Sequence, residues 1–159
     1  MRMSSGVEWA VHCCVVLSLA EHPVPTARLA QLHDVSTSYL AKQLQALSGA
    51  KIIRPAQGGS GGYLLDRPAE QITVLDIVEA IDGPGPTFIC TEIRQRGPLA
   101  ATADQCNKPC AITRAMATAE QAWREALRAS SIADLASQVN TDYDSDILGP
   151  VSQFIAQRG

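Results

Sequence analysis

The chain has 159 residues, the length of one compact domain or of a small domain with an appendage. Hydrophobic residues make up 46% of it and aromatic residues only 4%, which favours a packed core of aliphatic side chains. No stretch approaches the roughly eighteen consecutive apolar residues of a transmembrane helix. The first residues do not resemble a secretory signal peptide either. From these observations we expect a cytoplasmic protein rather than a membrane-spanning or secreted one.

The net charge of −3 by itself argues against a nucleic-acid partner, but it hides an uneven distribution. Residues 71–159 carry seven basic side chains against eleven acidic ones. Residues 25–67 have a local charge of +3, from the acidic residues Asp34 and Asp66 and the basic residues Arg28, Lys42, Lys51, Arg54 and Arg67. A basic segment inside an acidic chain indicates one face directed at phosphate groups.

The pattern up to residue 48 predicts three helices. Ser4 or Ser5 can cap the first, which runs to about Ala20. A short second helix follows Thr26, and residues 33–36 form a turn of the length that joins the two helices of a helix-turn-helix motif.

The third helix, roughly residues 37–48, has leucines on one face and short hydroxyls, a tyrosine, a lysine and glutamines elsewhere. An ordinary core helix would carry the same leucines. The polar residue types, however, are those that reach phosphates and base edges in the DNA major groove. We therefore interpret it as a recognition helix, with the candidate DNA contacts Ser36, Ser38, Tyr39, Lys42 and Gln43.

Residues 51–54 and 62–65 predict two strands joined by a glycine-dense tip at 57–61. A phosphate loop is the alternative, but the tip lacks the Gly-Lys-Ser/Thr ending of that motif, and a strand rather than a helix follows it. We interpret the hairpin as the wing of a winged helix-turn-helix. Its candidate DNA contacts are Arg54, Gln57, Gly58 and Ser60.

The second half predicts two further helices around a loop. Thr73 to Asp76 resembles a capping box, and the helix that it opens ends in a Gly/Pro-rich stretch after Asp82. A long helix after residue 110 carries an apolar stripe of Ile112, Met116, Ala119, Trp123 and Leu127. Such a stripe needs a partner surface, and a second copy of the chain is the simplest one.

Five cysteines fall into two groups. Cys13 and Cys14 lie in an apolar helix, where cysteine is usually a small buried hydrophobe. Cys90, Cys106 and Cys110 lie in a polar loop, with spacings of fifteen and three residues. In a reducing compartment this loop indicates a zinc site, an iron–sulfur cluster or a thiol switch. Structural zinc sites usually show paired Cys-x-x-Cys motifs, which this loop lacks.

Glu8 and His12 are four residues apart in the first helix and therefore share one face. They form either an ordinary surface pair or an oxygen and an imidazole ligand that complete the coordination sphere of the thiol site. Trp9, beside Glu8, is the only large aromatic residue of that helix.

In these features the chain resembles the iron–sulfur winged-helix regulators of the IscR, NsrR and RsrR type over nearly all of residues 4–139. The segments that carry the resemblance are 24–25, 35–40, 61–65, 77–83 and the three-cysteine loop. Residues 6–10, 12–14 and 90–99 are most similar to the redox-sensing RsrR type. Where IscR-like members carry an arginine in the wing, this chain has Gln57, which shifts phosphate contacts to Lys42, Lys51 and Arg54.

The RsrR resemblance implies a 2Fe–2S cluster held by Cys90 and Cys110 of one subunit and by Glu8 and His12 of the other, with Cys106 as an additional candidate. NsrR-like members, which sense nitric oxide, instead imply a 4Fe–4S cluster on three cysteines and one carboxylate. Trp9 is our candidate for a residue that couples the redox state to DNA binding.

We expect a mainly α fold: a winged helix-turn-helix with a two-stranded wing and a long C-terminal dimerisation helix. The expected divisions are a DNA-binding domain at 1–83, a cluster-binding loop at 84–110, a dimerisation helix region at 111–139 and an acidic flexible tail at 140–159. We expect a homodimeric transcription regulator that binds an operator in double-stranded DNA, not an enzyme, under the control of an iron–sulfur cluster. A ferredoxin-like electron carrier and a regulator without a cluster are the alternatives.

Overall fold

The computed structural model describes residues 3–56, 61–143 and 145–157. It divides into two compact units, one formed by the chain up to Pro84 together with Leu127 onward, the other by Gly85–Ala126. The helices and strands are α1 (Ser5–Ser18), α2 (Thr26–Leu32), α3 (Thr37–Gly49), β1 (Ile53–Pro55), β2 (Tyr63–Leu65), α4 (Val74–Asp82), α5 (Ala111–Arg128), α6 (Ile132–Asp142) and α7 (Leu148–Ala156).

Helix α1 lies at the centre of the larger unit and packs against α3, α4 and α6. Its inward face is fully buried at Ala10, Cys13 and Cys14. The leucines predicted for the inner face of α3 have no exposed surface and join the same core. Aliphatic and thiol side chains therefore build the core almost alone, as the low aromatic content predicts.

The wing is a short antiparallel hairpin in which β1 pairs with β2, with Arg54 opposite Leu64. Tyr63 also exchanges two backbone hydrogen bonds with Val24, both 3.0 Å long. Gly62 has a φ of 142°, and a Cβ atom there would lie 2.7 Å from the Val24 carbonyl carbon. Only glycine allows this close approach, which joins the hairpin to the segment before α2.

Helices α4 and α6 begin side by side, and each has a capping box. Thr73 and Asp76 exchange cap hydrogen bonds of 3.1 and 2.9 Å, and Ser131 and Asp134 do the same at 3.1 and 2.9 Å. An isolated β-bridge joins Thr73 to Ser131. The capping box that the sequence predicts at Thr73 is therefore present, and the second one fixes the start of α6 against the winged core.

The C-terminal third departs from the expected divisions. The region 111–139, expected as a dimerisation helix region, holds two helices, α5 and the start of α6, and Ile132 of α6 is fully buried in the core of the larger unit. The expected flexible tail at 140–159 is wrong, because α7 places Ile155 in that core. The Arg28 guanidinium lies 4.7 Å from the centre of the Phe154 ring and donates a hydrogen bond of 2.6 Å to the Gln157 carbonyl. The acidic residues near 142–146, just before α7, made the whole C-terminal segment look polar in the sequence.

The smaller unit contains the cysteine loop and most of α5. The loop has short 3-10 turns at Ile93–Gln95 and Asp104–Cys106. Thr87 is tied to α5 because its N–H and hydroxyl both donate to one Glu120 carboxylate oxygen, at 2.9 and 3.0 Å. Of the described residues, no helix has the length and apolar character needed to cross a membrane.

Candidate functional site

The start of α3 presents polar side chains in the way that a recognition helix requires. Ser36 is the N-cap, and its hydroxyl accepts the N–H of Tyr39 at 3.3 Å. Ser38 and Lys42 are exposed. Tyr39 is half-buried, and its hydroxyl lies 3.1 Å from the Ser5 hydroxyl at the start of α1. The expected contacts Ser36, Ser38 and Lys42 are thus available to DNA, while Tyr39 also links α3 to α1.

Gln43 is not on the DNA-facing surface, and its prediction as a contact is wrong. It is the one buried polar residue of the described chain, with 6% of its surface exposed. A Cβ atom on Gly6 would lie 2.6 Å from the Gln43 side-chain oxygen and 3.1 Å from Ile81. Gln43 follows Leu40 by three residues, which places it on the inner face of the helix, and the absence of a side chain at Gly6 makes room for it.

In the wing, the structure describes Arg54 but not the tip. The Arg54 side chain is 54% exposed, and its guanidinium lies 3.9 Å from an Asp66 carboxylate oxygen, a distance at which the pair is weak. The expected contacts Gln57, Gly58 and Ser60 lie outside the described residues.

Helix α1 exposes Glu8 and His12 on one face, as their spacing predicts, with Trp9 half-buried beside them. The Trp9 and His12 rings each meet the His33 ring edge-on, with centroids 5.9 and 5.8 Å away. His33 is the C-cap of α2 in the turn that leads to α3. An aromatic contact therefore joins the candidate ligand helix directly to the helix-turn-helix motif.

His33 was not predicted as a functional residue, although its place in the helix-turn-helix turn could have indicated it. Its Nε2 atom is buried, and no residue of the described chain is hydrogen-bonded to it. Burial, and secondarily the neighbouring His12, lower the pKa of His33 below its usual value. A neutral ring near pH 7 suits this partly desolvated place.

The cysteines separate into two chemical environments, as predicted. Burial raises the pKa of Cys13 to about 12, and burial also raises that of Cys14. Cys90 is exposed, while Cys106 and Cys110 are half-buried. Cys13 and Cys14 therefore stay protonated and pack in the core, whereas the three loop cysteines are accessible to ligands.

Cys110 occupies the N-cap position of α5, since its carbonyl accepts the N–H of Arg114 at 3.0 Å. Its sulfur accepts the N–H of Thr113 at 3.4 Å and lies 3.3 Å from the Thr113 hydroxyl. These two hydrogen bonds are the main causes that lower the pKa of Cys110, and the Arg94 charge adds to them. A thiolate at a helix N-terminus is a good ligand for soft metals.

Glu92 and Arg94 tie the first part of the loop to its end. The Arg94 guanidinium donates to both Glu92 carboxylate oxygens, at 2.9 and 2.8 Å, and to the Lys108 carbonyl at 3.2 Å. The Glu92 N–H in turn donates to the Cys90 sulfur at 3.4 Å. The sequence prediction missed Arg94, although opposite charges two residues apart between cysteines were a signal for it.

Within the described parts of one chain, no three His, Cys, Asp or Glu side chains form a group that could hold a metal ion. The thiols of Cys90, Cys106 and Cys110 belong to the smaller unit, and the Glu8/His12 pair belongs to the larger one. The donor set nevertheless fits an iron–sulfur cluster chemically, because it offers accessible thiols, one of them stabilised as a thiolate, together with an exposed imidazole and an exposed carboxylate.

Residues 3–138 match the sequence profile of the Rrf2 family, described as iron-dependent transcriptional regulators. The chain belongs to the Rrf2 family. It is 30% identical to the HTH-type transcriptional regulator YwgB of Bacillus subtilis over 148 residues, which is 91% of this chain and 90% of that protein. It is 33% identical to the regulator IscR of Sodalis glossinidius over 84 residues, 52% and 51% of the two chains.

Among solved structures, CymR, the global cysteine regulator of B. subtilis, is similar with a TM-score of 0.69 at 22% identity. The match covers 87% of this chain and 98% of CymR, and it confirms the mainly helical winged-helix fold. The Rrf2 chain is therefore a DNA-binding transcription regulator and not an enzyme, as predicted. The finer likeness to the RsrR type stays a prediction.

The exposed Lys42 provides a test of how α3 docks on DNA. Lys42→Ala should weaken binding to specific and random duplexes alike, because it removes one phosphate contact, and should reduce the slope of log K against log salt by about 0.9. Arg128→Ala, which removes an exposed cation outside the basic segment, is the matched control. Fluorescence anisotropy at several salt concentrations measures both, and an unchanged slope in Lys42→Ala would contradict the docking.

The two cysteine environments predict an order of thiol reactivity in the metal-free, reduced protein. Cys110 should react with iodoacetamide at lower pH than an unperturbed thiol of a short peptide, since a lowered pKa leaves the thiolate populated as the pH falls. Cys13 and Cys14 should stay unmodified until the protein is unfolded in urea. Peptide mass spectrometry across pH 6–10 reads each site, and Thr113→Val should move the Cys110 profile to higher pH. Early modification of Cys13 would contradict the assignment.

Proposed function

We propose that this Rrf2 protein is a homodimeric, redox-sensing regulator whose operator affinity is set by a 2Fe–2S cluster. Cys90 and Cys110 would hold the cluster together with Glu8 and His12 of the partner subunit. The reducing interior of the cytoplasm, where we place the protein, keeps such thiols free. The observation that carries the proposal is the contrast between the buried core cysteines and Cys110, whose sulfur is accessible and accepts the N–H of Thr113 at 3.4 Å at the start of α5.

The α1 residues suit the second half of this ligand set. Glu8 and His12 are exposed on one face, so a second subunit can reach both without moving the core. A cluster bound there supplies one-electron redox chemistry, and a neutral imidazole in place of a thiolate raises its potential.

The contact between α1 and the helix-turn-helix gives a route to DNA. Trp9 and His12 both meet His33, which lies in the turn before α3. A change in charge at Glu8 and His12 can therefore shift the turn that positions the recognition helix. This supports Trp9 as the coupling residue, with His33 as its contact. Shielding of the cluster from solvent is the alternative role for Trp9.

Helix α5 supports the proposed dimer. None of its residues is buried within one chain, and Ile112 and Met116 are 65% and 41% exposed. Exposed apolar residues at helical spacing indicate a surface that is covered by a partner, and a two-fold dimer would pair the same stripe on both copies.

A second candidate is the 4Fe–4S sensor with three cysteine ligands and one carboxylate. It is favoured by the position of Arg94, whose charge interacts with both Cys106 and Cys110, so that Cys106 lies near the same cation as a proposed ligand. A third candidate is a regulator without a cluster, which the CymR-like fold permits. The electron-carrier alternative loses its support, because the relatives are transcription regulators.

Single alanine variants reconstituted anaerobically should separate the ligand sets. Cys90→Ala, Cys110→Ala and His12→Ala should lose the cluster, while Cys106→Ala should retain it. Iron and sulfide content, native mass spectrometry and Mössbauer spectra are the measurements. Cys13→Ala serves as the control, because a core cysteine should not affect binding.

Two outcomes would contradict the 2Fe–2S assignment. Loss of the cluster in Cys106→Ala with an unaffected His12→Ala points to the three-cysteine 4Fe–4S arrangement. A wild-type protein that binds no iron under any condition favours the cluster-free regulator.

The dimer has its own test. Met116→Glu would place an unpaired charge in the proposed interface and should shift the protein towards monomer in sedimentation velocity. Gln121→Glu, also exposed on α5 but outside the apolar stripe, is the control. An unaltered dimer in Met116→Glu would remove this stripe from the interface.

A further inference from the structure

The cysteine loop contains a charged network that no ligand assignment uses. Arg94 is bonded at two places far apart in the loop sequence: to both oxygens of Glu92 and to the carbonyl of Lys108. Glu92 lies two residues after Cys90, and Lys108 lies two residues before Cys110. We call residues 88–92 the Cys90 limb and residues 106–110 the Cys110 limb.

From this geometry we propose that Arg94 is a positioning residue for the thiol site. It holds the Cys90 limb to the Cys110 limb and keeps a fixed positive charge beside the cysteines. The inference rests on the proposed cluster function and extends it, since it assigns a residue that binds no iron yet arranges the residues that do.

We call the hydrogen bonds of Arg94 to Glu92 and Lys108 the clamp. The shape of the guanidinium suits it to this role. A planar guanidinium can donate two parallel hydrogen bonds to one carboxylate, which fixes orientation as well as distance. The Nη2 atom of Arg94, which donates to Glu92, also donates to the Lys108 carbonyl. The Arg94 carbonyl also accepts the N–H of Ala101 at 2.8 Å, so the backbone around the clamp is held too.

Glu92 is itself fixed relative to Cys90. Its backbone has a φ of 52°, a left-handed conformation that is unusual outside glycine and asparagine. In this conformation the Glu92 N–H donates to the Cys90 sulfur while the Glu92 side chain accepts from Arg94. Such local strain is kept where the surrounding contacts stabilise it, and it is frequent at functional sites.

The positive charge of Arg94 also stabilises nearby thiolates, which a neutral hydrogen-bond donor in its place would not do. Electrostatic interactions link Arg94 to both Cys106 and Cys110, and Cys110, the proposed ligand, becomes anionic when it binds metal. A cation that stays charged at all working pH values offsets that negative charge. Groups around the ligands of a metal site commonly change its affinity between about ten- and a hundredfold, and nearby charge also shifts its potential.

The test compares full-length Arg94→Gln, Arg94→Lys and the wild type, with Arg96→Gln as a control that removes an exposed arginine of the same loop. Hydrogen exchange of peptides covering 88–110 in the metal-free protein reports the clamp. Release of iron to a chelator and the midpoint potential of the anaerobically reconstituted protein report the effect on the cluster.

We expect Arg94→Gln to exchange faster across both limbs, to release iron between about ten and a hundred times faster and to have a lower potential. Arg94→Lys, which keeps the charge but not the two-pronged bond, should lose the loop protection while keeping a potential near that of the wild type.

Faster exchange in Arg94→Gln with unchanged iron release and potential would overturn the positioning role, leaving only a structural one. Unchanged exchange in both variants would overturn the clamp. If the wild type binds no cluster at all, the proposed function fails, and the exchange result still decides separately whether Arg94 joins the two limbs.

Discussion

The packing of α1 is the constraint on which the rest of the structure depends. Its inner face, with Ala10, Cys13 and Cys14, is buried against the helix-turn-helix, α4 and α6. Because a helix presents opposite faces at fixed offsets, burial of these residues forces Glu8 and His12 outward. The same helix thus supplies both the centre of the fold and a candidate half of a metal site. Leu17 of α1 is buried as well, and Leu→Ala changes in typical cores cost about 2–5 kcal/mol, so the orientation of the helix is strongly fixed.

Desolvation and hydrogen bonding give the cysteines opposite roles. Burial disfavours the thiolate at Cys13 and Cys14, while the N-terminus of α5 favours it at Cys110. The protein therefore keeps its structural thiols unreactive, while Cys110 is favoured as a thiolate. In the proposed account, a change in the charge of the cluster acts on Glu8 and His12 in α1 of the other subunit. Trp9 and His12 of that helix contact His33, which lies in the turn before the recognition helix.

The sequence allowed the winged-helix order, the first capping box and the two cysteine classes to be predicted, because each depends on local periodicity or composition. The spacing from Leu40 places Gln43 on the inner face of α3, but the room for its side chain depends on the missing side chain of Gly6 on another helix, which the sequence did not reveal. Nor did it reveal α7, whose apolar Ile155 follows an acidic stretch that suggested mobility. The Arg94 network was also missed, because it joins residues that only the folded loop brings together.

The central claim is that the state of an iron–sulfur cluster sets DNA affinity. It is tested most directly by anaerobic fluorescence anisotropy on an operator selected from random-sequence DNA, using one preparation in its oxidised, reduced and cluster-free states, with the cluster in each quantified by Mössbauer spectroscopy. The account predicts that operator affinity differs by about five- to a hundredfold between states while binding to random DNA stays the same. Equal operator affinity in all three states, with the cluster shown to be present in two of them, would contradict it.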